Sequence, residues 1–351
     1  TQIEEKNRAL TVKICYGTLD TDYELSYYIK LLAPKSPKLV VRTILKISMY
    51  AIKFLGKKEY AVIDNAVSLT KKLGKNGASG FVNAFLRKFV KLKPEVPTDI
   101  KDYLFIKYSY PNFAVEELIK KYGKERTESI LSAKNSKTTL AFYDIDGEEY
   151  LKNKALLYEK TPFNNVFSLN NFTRNQDYDN GVYTFQALGS IAICEVVEPC
   201  DNLLDCCSAP GGKTVRLSYK CKSVTALELH EHRVNLVKSY ASRMKRQNIV
   251  AKKADAKVYY PEYDSVFDGV LVDAPCSGLG VVNDNPDIRL NREEKDVLSL
   301  LEEQINILNT ACKYVKVGGY LYYSTCSILE RENEIEEQKK FNWLIKNYYR
   351  H

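Results

Sequence analysis

The sequence predicts an α/β protein in which a doubly wound, mainly parallel sheet is preceded by an all-α bundle and a small α+β linking segment. Three observations carry this. From Asp201 onward, short apolar runs alternate with helical stretches: Leu203 to Cys207, Val224 to Glu228, Val270 to Asp273 and Tyr320 to Thr325. Runs without polar alternation are strands buried on both faces, and their alternation with helices implies a parallel sheet. Before Lys93, apolar residues recur at helical spacing instead. Between the two regions, KLKPEVPTDI (Lys91 to Ile100) carries two prolines and reads as a linker.

Taken in order, residues 1–93 form the helical domain. Val41, Ile44, Leu45, Ile52 and Leu55 make one stripe, and Val62, Ala66, Leu69 and Leu73 make a second that ends at Gly74 in a C-cap position. Ser79 is placed to cap a third helix with the stripe Phe81, Phe85, Leu86 and Phe89, leaving Arg87 and Lys88 on its other face. Residues 94–199 form the α+β linking subdomain, with a helical stretch from Val115 to Tyr122. Residues 200–351 form the sheet domain. A chain of 351 residues holds two or three such domains.

Composition narrows the class. A hydrophobic share of 45% with 27% charged residues is that of a globular chain, not a disordered or fibrous one. No apolar run approaches the ~18 residues of a membrane span, and the charged N-terminus TQIEEKNRAL has no secretory apolar core. Nine cysteines without a paired spacing pattern point to reduced thiols and a cytoplasmic location. Three scattered histidines and no CxxC pair argue against a metal site. The net charge of +8 is unevenly placed. Residues 1–93 hold fifteen Lys and three Arg against seven acidic residues, a balance of +11, so the remainder sums to −3. A basic block on a near-neutral chain suits a polyanion such as nucleic acid. Lys outnumbers Arg 39 to 13 along the chain, but that bias does not by itself put the whole excess in one segment.

In doubly wound sheets ligands bind beyond the carboxyl ends of the strands, so those ends are the candidate site. The first strand runs into DCCSAPGGKT (Asp205 to Thr214), where small residues and a glycine pair let the backbone approach a ligand. The loop lacks the spacing of GxGxxG and the upstream glycine of a Walker A loop, which disfavours a dehydrogenase and an ATPase. Glu228 ends the second strand, where an acidic side chain can accept from ribose hydroxyls, and Asp255 follows the third, placed for an adenine amino group or simply solvated. The fourth strand ends in Asp273-Ala274-Pro275-Cys276 and the fifth in Ser324-Thr325-Cys326.

One buried cysteine would be unremarkable. Two at the ends of strands that should be neighbours point to thiol chemistry. The combination suits methylation of a pyrimidine at C5, which needs one attacking thiolate. A thiolate adding to C6 makes C5 nucleophilic enough to take a methyl group, and a base must then remove the C5 proton. A thiol of ordinary pKa near ~8.5 must be activated for this. A second cysteine could assist release, and Asp273 could orient the cytosine amino and N3 positions. A target within a helix must first be flipped out.

DCCSAPGGKT, VDAPCSGLG, NPDIR (Asn285 to Arg289) and YSTCSILERENE (Tyr323 to Glu334) resemble the consecutive motifs of the Sun/RsmB family of RNA cytosine-C5 methyltransferases. NRALTVKICYGTL and FVNAFLRKF resemble the NusB-like RNA-binding domain fused ahead of the catalytic domain, and YSYPNFAVEELIKKYG (Tyr108 to Gly123) resembles the start of the linking subdomain. The resemblance implies a Rossmann-like methyltransferase domain using S-adenosyl-L-methionine, with RNA, most directly small-subunit ribosomal RNA, as the partner of a monomeric chain. It implies that Cys207, Ser208, Ala209, Pro210, Gly211, Gly212 and Lys213 hold the methionine part of the cofactor. It further implies that Glu228 holds the ribose, that Asp255 contacts the adenine, and that Asp273 stands between cofactor and base. The resemblance makes Cys326 the nucleophile and Cys276 the residue that promotes release. Neither a metal nor a membrane is expected.

The chain departs from that pattern in places. Asn283, Asp284 and Asn285 stand where basic residues are usual before PD, and the usual Gln-Asp step reads Gln186-Ala187. Glu228 replaces a more usual Asp, and no Arg appears around Leu140 to Tyr143. Relative to the family pattern the chain reads as shortened at both ends, lacking a first bundle helix and a final strand pair after Ile335. Two rivals follow: a catalytically impaired RNA-binding or ribosome-assembly protein, and a tRNA-directed cytosine-C5 methyltransferase.

Overall fold

The structure is a computed structural model that describes residues 4–134, 137–170 and 172–334. The stretch after Ile335, where the strand pair is in question, lies outside the described residues. Seven helices come first: α1 (Glu5–Asp20), α2 (Asp22–Leu32), α3 (Leu39–Lys53), α4 (Glu59–Lys72), α5 (Ser79–Leu92), α6 (Tyr103–Tyr108) and α7 (Asn112–Ser132). A mixed region follows with β1 (Lys137–Ala141), α8 (Gly147–Asn153), β2 (Glu159–Lys160), β3 (Val166–Asn170), α9 (Gln176–Asp179), β4 (Thr184–Phe185) and α10 (Leu188–Val196). The last region holds β5 (Asn202–Asp205), α11 (Gly212–Ser218), β6 (Ser223–Glu228), α12 (Glu231–Arg243), β7 (Ile249–Lys253) and β8 (Phe267–Asp273). It continues with α13 (Ile288–Asn291), α14 (Glu294–Ala311), β9 (Val315–Ser324) and α15 (Glu330–Asn333).

These elements group into two compact units, residues 1–134 with 279–294, and residues 135–278 with 295–351. The segment 94–134, expected in a linking subdomain, therefore groups with the bundle. So does 279–294, which contains the NPDIR stretch expected with the sheet.

In the helical unit, Leu25, Tyr28 and Ile29 of α2, Ile44, Leu45 and Met49 of α3, and Val82, Phe85, Leu86 and Phe89 of α5 form one core. Val41, Ile44 and Leu45 of α3 and Phe85, Leu86 and Phe89 of α5 are buried as expected, while Ile52 and Leu55 are half-buried with Leu55 past the end of α3, Phe81 is exposed, and Val82 takes the inward place. On α4 the buried face is turned from the expected one. Ile63, Ala66 and Thr70 point inward while Leu69 and Leu73 are exposed. Gly74 follows with φ +69°, the left-handed conformation a C-terminal glycine supplies. Ser79 does not cap α5 with its side chain: its hydroxyl donates back to the Asn76 carbonyl at 2.7 Å. Helix α7 breaks its helical geometry at Gly123 (φ +75°), the residue type most tolerant of such a kink.

The inserted segment is held in this unit by Arg289, which is 5% exposed. Its guanidinium pairs with the Asp20 carboxylate at 3.1 Å, donates to Asn283 Oδ1 at 3.2 Å, and lies over the Tyr110 ring.

The second unit contains a four-stranded antiparallel sheet in the order β2-β3-β1-β4 and a five-stranded parallel sheet in the order β7-β6-β5-β8-β9. The parallel sheet is apolar on both faces. Leu204, Leu227, Val270 and Val272 pack into one layer, while Leu203, Val224, Leu271 and Tyr322 pack into the other. This is why its strands read as continuous apolar runs. Strand order reverses between β5 and β8, which puts the switch-point crevice at the carboxyl ends of those two strands.

Candidate active site

A cleft opens at that switch point, with about 580 Å³ of space out to its mouth. The loop after β5 forms one wall through Cys207, Ser208, Ala209, Pro210, Gly212 and Lys213, and Asp273 ends β8 on the floor. The loop is tied down: the Ser208 amide and hydroxyl both donate to the Leu227 carbonyl, at 3.0 and 2.9 Å. Gly211 adopts φ +110°, and a Cβ there would come within 3.1 Å of the Val237 Cα, so a side chain would push the loop off α12.

Other wall residues were not singled out in the sequence. Gln186 accepts from the Tyr143 hydroxyl at 3.1 Å through Oε1, while its Nε2 is buried with no partner. Asp205 is 1% exposed; Oδ2 accepts from Thr214 at 2.7 Å, and Oδ1 is buried with no partner. Burial, with a smaller push from Asp273, raises the Asp205 carboxyl to about 6. Tyr240 completes the wall and bonds Thr184. Asp205 could have been found by the rule that flagged Glu228 and Asp273, since it too ends a strand. Gln186 is the retained Gln of the Gln-Asp step, and that step is the signal that could have found it.

Asp273 pairs with Ser324 across the β8–β9 ladder, and that register brings the two cysteine loops side by side. Cys276 Sγ and Cys326 Sγ are 3.1 Å apart, and the Cys326 amide donates to Cys276 Sγ at 3.3 Å. Asp273 itself accepts from Lys213 Nζ at 2.5 Å and from the Ser324 hydroxyl at 2.7 Å. Burial lowers the Lys213 ammonium, but the Asp273 carboxylate outweighs it and holds the group above its ordinary value. The two thiols split. Cys276 is pushed up by its hydrogen bond to Cys326, by burial, and by the charges on Cys326 and Glu332. Cys326 is lowered by the hydrogen bond from Cys276, with Lys213 assisting against burial and Asp273. Cys207, by contrast, is a buried thiol pushed far up.

Glu228 and Asp255 do not line the cleft. Glu228 is 5% exposed at the end of β6, where Oε1 accepts from the His230 amide at 3.3 Å and faces Arg233 at 3.4 Å. Asp255 accepts from the Lys257 amide at 2.9 Å, closing its own turn. Among the described residues no group of three or more His, Cys, Asp or Glu could hold a metal ion. No helix among them is long and apolar enough to cross a membrane.

Comparison with known proteins agrees with this architecture. Residues 1–91 match the profile of the NusB family, and residues 195–342 match that of the 16S rRNA methyltransferases RsmB/F. A probable ribosomal RNA small subunit methyltransferase B of Bacillus subtilis (strain 168) is 32% identical over 355 residues, covering 95% of this chain and 79% of that protein. The ribosomal RNA small subunit methyltransferase B of Proteus mirabilis (strain HI4320) is 30% identical over 352 residues, covering 94% and 82%. Among solved structures, that of PH0851 superposes with a TM-score of 0.79 at 20% identity, covering 97% of this chain and 82% of that one. NSun6 from Pyrococcus horikoshii, solved with SFG, gives a TM-score of 0.59 at 17% identity, covering 66% and 87%. At these identities the solved structures establish the fold, and the sequence relatives establish that the chain belongs to the family of the ribosomal RNA small subunit methyltransferases B.

Proposed function

We propose that the protein methylates C5 of a cytosine in RNA, with 16S ribosomal RNA as substrate and S-adenosylmethionine as methyl donor, through a covalent bond between Cys326 and C6. The observation that supports it best is the pair of strand-end thiols 3.1 Å apart, beside a partly buried Lys213–Asp273 ion pair. Family membership supplies the substrate class.

The cleft suits the cofactor's amino-acid end. Gln186 Nε2 is a buried donor without a partner, facing the need of a carboxylate, and Asp205 Oδ1 is a buried acceptor without one, facing the need of an ammonium. The loop from Cys207 to Lys213 would hold the methionine part, and the cofactor would extend past the cleft wall to reach Glu228 with its ribose and Asp255 with its adenine. When bound, S-adenosylmethionine supplies an electrophilic methyl group on its sulfonium.

The residues of the chain do the rest. The contact with Cys276, in which either sulfur can donate, is the largest cause that holds Cys326 below its ordinary value, and we read Cys326 as the thiol that ionises. Its thiolate adds to C6, the C5–C6 π pair shifts toward the ring carbonyl and N3, and C5 becomes nucleophilic. Asp273, held by Lys213 and Ser324, orients the cytosine amino group and N3. After methyl transfer the C5 proton goes to a base, the C5–H pair re-forms the double bond, and the C6–S bond breaks to return the Cys326 thiolate. Cys276 stands at that sulfur to promote release. Basic helices of the N-terminal unit provide the RNA-binding charge.

The test is direct: the protein is incubated with labelled S-adenosylmethionine and 16S ribosomal RNA, free and in assembling subunits, and 5-methylcytosine is mapped. Label at C5 of one or a few cytosines is the expected result. Label on transfer RNA alone would favour the tRNA-directed rival, and cofactor binding without methylation would favour the non-catalytic one.

A further inference from the structure

Glu332 is a fully buried carboxylate, 0% exposed, on the four-residue helix α15, outside every role assigned above. Oε1 accepts from the Ser277 amide at 2.7 Å and from Gln304 Nε2 at 3.2 Å. Oε2 accepts from the Ser277 hydroxyl at 2.5 Å. Gln304 also donates to the Pro275 carbonyl at 2.9 Å, and Tyr323 donates to the Glu332 carbonyl at 2.9 Å. One side chain thus ties Ser277, next to Cys276, to the loop that carries Cys326.

The direction of the hydrogen bonds follows from the carboxylate. A carboxylate only accepts, so the Ser277 proton is committed to Glu332. Ser327, 3.0 Å from Ser277 Oγ, must then donate to it, and Ser327 Oγ accepts from the Leu329 amide at 3.0 Å. The chain Leu329 to Ser327 to Ser277 to Glu332 has a single polarity and ends on a negative charge. That charge is fastened to the residue after Cys276. Among the described residues, Asp273 and Lys213 act on Cys326, and Glu332 and Tyr323 lie toward Cys276.

We propose that Glu332 is a positioning residue that sets the order of the two thiols: it clamps the Cys276 loop to the Cys326 loop, and its charge keeps their shared proton on Cys276. This rests on the reading of Cys326 as nucleophile. A negative charge disfavours the nearer thiolate most, and Glu332 adjoins Cys276 while Lys213 serves Cys326. Cys276 is raised first by its hydrogen bond to Cys326 and by burial, and the Glu332 charge adds to that direction.

The experiment is iodoacetamide labelling of the full chain without RNA or cofactor, from pH 6 to pH 9, with Cys276 and Cys326 quantified separately by peptide mass spectrometry. The wild type is expected to label Cys326 at least tenfold faster than Cys276. Glu332→Gln removes the charge and keeps one acceptor oxygen for the Ser277 amide, while its NH2 donates to Ser277 Oγ in place of the lost acceptor, and it is expected to cut that preference at least threefold and move Cys276 labelling to lower pH. Glu332→Asp keeps the charge and is expected to stay near the wild-type preference. Ser277→Ala keeps the Glu332 charge and loses one tie, so it is expected to melt lower with the preference intact. Glu332→Gln with wild-type melting and unchanged preference overturns the proposal, as does a Ser277→Ala protein that loses the preference equally. Should Glu332→Gln fail to fold, equal or reversed labelling in the wild type overturns it. Because labelling needs neither substrate, a protein with the expected labelling pattern but no methylation would sink the proposed function and leave this inference standing.

Discussion

Lys213 Nζ and Asp273 Oδ2 meet at 2.5 Å, one from the loop-to-helix junction after β5 and the other from the end of β8. Both side chains are at least three-quarters buried, so water serves either charge only in part when its partner is removed. Asp273→Asn should therefore act twice. It leaves a buried ammonium unpaired, which costs roughly 2–4 kcal/mol in chemical denaturation. It should also lower methyl transfer by roughly 10²-fold or more through the lost orientation of the base. Lys213→Met should lose similar activity, and the double variant should lose little beyond either single one, because the residues act as one unit. Additive losses would show that they act separately.

The thiols give a sharper contrast. Cys326→Ala removes the group that bonds C6, and turnover should fall below detection in a labelled-methyl assay. Cys276→Ala leaves bond formation intact and impairs release, so a protein–RNA adduct that survives denaturing electrophoresis should accumulate. An adduct from Cys326→Ala, and none from Cys276→Ala, would exchange the two roles.

Much of this was legible in the chain because parallel strands buried on both faces announce themselves as apolar runs. Once Asp273 and Ser324 are strand ends of neighbouring strands, their register alone brings Cys276 and Cys326 together. What stayed hidden depends on tertiary choices that local pattern does not encode. Either Val62, Ala66, Leu69 and Leu73 or Ile63, Ala66 and Thr70 make a plausible α4 face, and packing against α3 and α5 selects the second. Within YSTCSILERENE no local pattern marks Glu332 as buried, yet it lies fully buried because its donors on Ser277 and Gln304 come from distant segments. Arg289 looked like part of the catalytic motif, and its partner Asp20 is 269 positions away in sequence.

That pair makes a stability claim of its own. Arg289 is buried over Tyr110, with Asp20 at 3.1 Å, and burial raises the Asp20 carboxyl even with the guanidinium opposing it. Arg289→Ala strands that carboxylate and removes the stacking, and should cost roughly 3–5 kcal/mol in urea unfolding of the helical unit. Arg289→Lys keeps the charge but loses the planar fork, so it should recover only part. A loss below 1 kcal/mol for Arg289→Ala would show that segment 279–294 is held by other contacts.

Asp205 ties the cleft to pH. Its carboxyl is raised by burial to about 6 in the folded protein, against an ordinary value near 3.8. Between those two values the folded chain holds a proton that the unfolded chain has lost. Stability contributed by Asp205 is therefore fully present below about pH 4 and is lost as pH rises through about 6. Two units correspond to roughly 3 kcal/mol, an upper bound for the effect. Asp205→Asn, which still accepts from Thr214, removes this dependence. The difference in unfolding free energy between variant and wild type should shift in favour of the variant from pH 4 to pH 7. The same substitution deletes the free acceptor at Oδ1, so calorimetry at pH 7 should show S-adenosylmethionine binding weakened at least tenfold. A stabilised variant with unchanged affinity would remove Asp205 from the cofactor site while leaving its titration in place.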